Sequence, residues 1–140
     1  MASPPRTNRE YAYLSIRGPG VHATVTQRLR LVPSEAWNSG DTHPRTGRPC
    51  KSMAWRLDSG LDDTQPLALH IDALLLIVGA REEDLRDLWL DYDLTIQCVG
   101  YYPASGHGVH FDREVVRRAA RLGLAFDCDF YYLDDRESAR

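Results

Sequence analysis

His107-x-x-His110-x-Asp112 is the spacing in this chain that comes nearest to a metal-ligand set. Ligands so placed converge only in helical or turn geometry. Here the segment leaves a Pro/Gly/Ser loop, Pro103 to Gly108, and enters a helix whose N-cap is Asp112. His70 and Asp72 sit two apart on one helix and do not face each other. No ligand set survives, and the expectation is a chain with no metal and no cofactor.

A serine or cysteine nucleophile needs a base held at hydrogen-bond distance. Cys98 and Cys128 fall on the apolar sides of alternating segments, where they read as small buried hydrophobes. Cys50 lies in a long polar loop with no base nearby in sequence. No Gly-x-Ser-x-Gly, phosphate-binding loop or dinucleotide fingerprint occurs. No catalytic residue is assigned. One acid pair stands out, Asp127 and Asp129, which project from the same side of a strand about 7 Å apart at ordinary strand rise. Such a pair is suited in principle to acid–base work.

The elements that carry these residues follow from periodicity. Tyr11 to Arg17 alternates, with Ala12, Leu14 and Ile16 on one side, which marks a half-buried strand. Val21 to Leu31 repeats apolar residues every fourth position up to Pro33, a short helix. Pro33 to Lys51 is a long polar loop. Met53, Trp55 and Leu57 alternate in a second strand. Leu67, Ile71, Leu74, Leu75 and Val78 form the stripe of an apolar helix started at Pro66 and ended near Gly79. Glu82, Glu83 and Asp84 open a further helix. Leu94 to Tyr101 is a third strand, Arg113 to Leu122 a helix, and Leu124 to Tyr132 a fourth strand. Trp55, Leu74, Leu75 and Phe126 are expected in the core.

The order implies an α+β domain over residues 11–133, with polar extensions at 1–10 and 134–140 expected to be flexible. Its sheet would have four largely antiparallel strands covered on one face by helices. The two strand-helix-strand halves suggest a ferredoxin-like arrangement with a helical insert. The other sheet face would then display Tyr11, Tyr13, Arg17, Arg56, Gln97, Tyr101, Asp127, Asp129 and Tyr131. Tyrosine and arginine are favoured at protein interfaces. A solvated face is the plain alternative.

With 140 residues and 43% hydrophobic content the chain can bury a core without disulfides. Three cysteines without a CxxC pair make a poor disulfide framework, so reduced thiols in a cytoplasm are expected. The opening residues carry no apolar signal segment and no run reaches membrane-spanning length. The net charge of −3 argues against nucleic acid as the partner. Residues 61–93 hold nine acidic and two basic groups. Glu82, Glu83, Asp84 and Asp87 therefore form a candidate acidic patch for a basic protein partner.

The ordered set of features resembles a bacterial family, the domain of unknown function 4279, from about Tyr11 to Leu133. The resemblance rests on Gly18 after the first strand, Val25-x-x-x-Leu29-x-Leu31-x-Pro33, Gly40-Asp41 and Ala54-Trp55-Arg56-Leu57. It also rests on the apolar helix near Val78 and on Arg121-Leu122-Gly123-Leu124-Ala125-Phe126-Asp127. His22 and the tyrosine- and aspartate-rich last strand depart from the family's pattern. The resemblance implies a fold and brings no catalytic residues with it. The functional expectation is a protein-binding module, by analogy an immunity-type protein that occupies a basic toxin domain. The alternative is a small-ligand sensor or an enzyme using the open sheet face. Self-association stays open.

Overall fold

The computed structural model describes residues 8–103 and 108–133. Nine elements follow in order: β1 (Arg9–Arg17), α1 (His22–Leu29), β2 (Glu35–Trp37), β3 (Ala54–Asp58) and α2 (Leu67–Gly79). Then come α3 (Glu82–Arg86), β4 (Asp93–Tyr102), α4 (Arg113–Arg121) and β5 (Ala125–Tyr132). The mixed α+β class is as expected. The sheet has five strands rather than four, in the order β2-β3-β1-β4-β5.

The extra strand lies inside the segment expected as loop. Glu35, Ala36 and Trp37 pair antiparallel with Arg56, Trp55 and Ala54. Three residues are too few to give a period, so only the backbone pairing reveals it. Pairing of β1 with β3 and β4 is antiparallel, whereas β4 and β5 are parallel. The ferredoxin-like expectation fails on this order. A split unit places another strand between its two strands, but here β4 and β5 are direct neighbours, as are β1 and β3. Arg9 and Glu10, expected in the N-terminal extension, already belong to β1. Residues 1–7 and the tail from 134 lie outside the described residues.

Alternation gives the sheet two unlike faces. Ala12, Leu14, Ile16, Trp55, Leu94, Ile96 and Cys98 project to the helical side and are buried. They pack against Val25 and Leu29 of α1 and against Leu67, Ile71, Leu74, Leu75 and Val78 of α2. Trp55 is fully buried and its indole N–H donates to Thr26 Oγ1 at 3.0 Å, so the ring's one polar atom is satisfied.

Local signals set the helix ends. Asp112 Oδ1 accepts from Val115 N at 2.8 Å, the expected N-cap of α4. At α1 the chain leaves the helix at Arg30, whose φ of 58° is left-handed, two residues before the expected end. Gly79 remains the last helical residue of α2 and Ala80 caps it in the right-handed region, so the glycine does not act as a left-handed cap.

The helical layer does not reach across the whole of β5. Phe126 is half-buried, stacked on Phe111 with ring centroids 4.5 Å apart, and Cys128 is exposed. Both were expected in the core. Alternation assigns a side chain to a face, but burial also needs something on that face to cover it. Cys50 departs the other way. It is buried in the long segment, where its N–H donates to Asp41 O at 2.7 Å.

Candidate functional site

The uncovered sheet face carries the residues expected there, and register brings them into rows. Tyr13 stands opposite Asp58 on β3 and Gln97 on β4, and Gln97 stands opposite Asp127 on β5. Ser15 lies between Arg56 and Thr95. Arg9 is opposite Tyr101, which is opposite Tyr131, while Arg17 is opposite Asp93 at the far end.

Arg56 is the centre of this face. Its guanidinium lies 4.9 Å from the ring centroid of Tyr13 and 4.9 Å from that of Trp37. A cation between two aromatic faces is attracted to both ring quadrupoles. Glu35 Oε2 is 3.8 Å from the guanidinium. The Arg56 Nε is buried without a hydrogen-bond partner, so part of this cation's donor capacity is unused. Trp37 enters the site only because β2 exists, and a three-residue strand gave it no periodic signal.

A second aromatic group continues the surface. Arg9 lies 4.8 Å over the Tyr101 ring, which stacks on Tyr131 at 5.1 Å and 17°. Tyr11 and Tyr13 have centroids 6.4 Å apart at 20°. Burial pushes the Tyr11 phenol above its ordinary pKa, and the Tyr101 and Tyr13 phenols add to the rise. The Tyr11 hydroxyl is therefore neutral at neutral pH. Two hollows flank Tyr13 and Arg56, one of about 540 Å³ reaching Arg17, Asp93 and Asp127, the other of about 480 Å³ reaching Tyr11, Arg45 and Asp58.

The acid pair is not brought to a common point. Asp129 Oδ2 accepts from Gln97 Nε2 at 3.0 Å, whereas Asp127 lines the larger hollow. The two carboxylates thus have different neighbours and do not share a proton site. The acidic segment is also tied into the fold. Glu82 accepts from Arg121 and pairs with Arg86 at 3.5 Å, and Asp84 pairs with Arg30 at 3.0 Å. Arg28 donates to the backbone carbonyl of Asp87 at 2.8 Å. Hydrogen bonding from Arg121 holds the Glu82 carboxyl below its ordinary pKa. These contacts hold α3 against α1 and α4, and the charges of Glu82 and Asp84 are answered within the chain. Glu83 remains exposed.

Sequence spacing missed one buried polar pair. Ser59 Oγ and His70 Nδ1 are 2.6 Å apart, His70 is fully buried, and Ser59 also accepts from Leu61 N at 3.2 Å. His70 Nε2 has no partner. Ser59 ends β3's exit and borders the smaller hollow. Eleven residues across a turn into a helix carry no motif that would have linked them.

Among the described residues no three His, Cys, Asp or Glu side chains are placed to hold a metal ion, and His107 lies outside those residues. No described helix is long and apolar enough to cross a membrane. No curated protein and no solved structure matches the chain. Residues 7–133 do match a family model described as Domain of unknown function (DUF4279), and the chain belongs to that family.

Proposed function

We propose that this chain is a non-catalytic protein-binding module and that its recognition surface is the open sheet face. The observation that carries the reading is Arg56 held between Tyr13 and Trp37, with the Arg9–Tyr101–Tyr131 stack continuing the same surface. Rigid aromatics and stacked arginines give large contact area at low entropic cost, and such residues dominate interface energetics. An immunity-type role, in which the partner is a bacterial toxin domain, fits a surface of this kind. The acidic segment lends it little, because Glu82 and Asp84 already have cationic partners in the fold.

Co-purification of the tagged full chain from its own host, followed by kinetics on the recovered partner, tests the reading. Arg56→Ala and Tyr13→Ala should each speed dissociation about tenfold or more, since losing a central anchor acts mainly on the off-rate. Unchanged dissociation in both variants would remove this face as the interface. A second reading, a small-ligand sensor, draws on the two hollows that share Tyr13 and Arg56. Retained partner binding together with a thermal shift caused by a metabolite extract, lost in Arg56→Ala, would favour the sensor.

A further inference from the structure

Cys98 and Cys128 stand directly opposite each other on the parallel strands β4 and β5. In-register residues of parallel strands project to the same face. Neighbouring strands run about 4.8 Å apart, inside the Cα separation of about 4.4–6.8 Å that disulfides span. The two thiols lie close enough to act on each other's ionisation. Their surroundings differ sharply. Cys98 is fully buried, whereas Cys128 is exposed at the margin of the helical layer. β5 ends the sheet, with no described strand on its far side, so it can shift without breaking a second ladder.

We infer that Cys98 and Cys128 form a reversible thiol-modification site. Exposed Cys128 is captured by a low-molecular-weight disulfide, and buried Cys98 then resolves the adduct into an intrachain bond. The site is independent of the open-face reading, because both cysteines project to the helical side.

In the first step the Cys128 thiolate, its proton lost to solvent, attacks one sulfur of the small disulfide. That S–S bond breaks, the departing thiolate takes a proton, and Cys128 carries a mixed disulfide. In the second step Cys98 gives up its proton and attacks the Cys128 Sγ, releasing the second small thiol. Two protein thiols are oxidised and one small disulfide is reduced to two thiols. Burial pushes both thiols up, Cys98 much further than Cys128, so capture begins at the exposed Cys128. Parallel strands hold the two Cβ atoms near the strand spacing, wider than the roughly 3.5–4.5 Å of a relaxed disulfide. β5 must therefore close on β4, and the strained bond should be readily reduced.

The test is to incubate the reduced full chain with glutathione disulfide, quench with acid, and measure intact mass and non-reduced peptides. The wild type should end lighter by two hydrogens, with Cys98 linked to Cys128, and dithiothreitol should restore it. Cys98→Ala should stop with one glutathione on Cys128. Cys128→Ser, checked for native circular dichroism, should react at least about tenfold more slowly because only buried thiols remain. A wild type that stays glutathionylated at Cys128, or that links to Cys50, would overturn the inference. So would a folded Cys128→Ser that reacts as fast as the wild type.

Discussion

Cys128 shows how much a single position can differ from its pattern. It lies on the apolar side of its strand, yet it is exposed, and partial desolvation still raises its thiol above the ordinary value. Asp127 and Asp129 add to the rise through their charge, and the Cys98 thiol opposes it. Because the reactive species is the thiolate, alkylation of Cys128 should accelerate about tenfold per pH unit up to the raised pKa. A cationic reagent should outpace an anionic one, and Asp129→Asn should narrow that gap. Rates from stopped labelling at several pH values check both. Tyr102 is a second residue whose role comes from its neighbours. Its ring folds over Gly100, where a Cβ would fall inside the phenol, and its hydroxyl donates to Glu10 Oε2 at 3.0 Å. Tyr102→Phe should cost about 1–2 kcal/mol in denaturant unfolding, and Gly100→Ala more, because the ring must leave its place.

At the scale of elements, α2 contributes five residues to the core cluster, with Leu74 fully buried. Leu74→Ala should destabilise by about 2–5 kcal/mol, read from the denaturation midpoint at constant slope. The small helix α3 buries Leu85 in the core and adds ion pairs at its surface. Glu82, its carboxyl held below the ordinary 4.5 by Arg121, contributes above that value and loses its contribution as pH falls through the lowered one. The melting-temperature gap between wild type and Glu82→Gln should therefore close as pH drops below 4.5, and also close in high salt. These elements were legible to different degrees. α2, α4 and β1 announce themselves through period and caps, and the open-face residues follow from strand alternation. β2 is invisible because three residues have no period. The Ser59–His70 pair is invisible because its link is spatial. The exposure of Cys128 depends on how far α4 extends over the sheet, which no local pattern encodes.

The whole molecule joins an antiparallel part, β2-β3-β1-β4, to one parallel pair, β4-β5. The open face crosses all five strands, so a partner seated there would contact segments from both ends of the chain. The same topology bears on how the chain reaches its native state. β1 is made first yet sits at the centre of the sheet, and its partner β4 pairs Tyr101 with Arg9 across most of the sequence. The central ladder must close a long loop before it gains any contact, and high contact order of this kind slows folding into the millisecond-to-second range. In the sheet β1 is flanked by β3 on one side and β4 on the other, so a β1–β3 pair lacking β4 would leave one edge of β1 unguarded. Refolding yield should therefore fall with protein concentration in a way that native stability does not foretell.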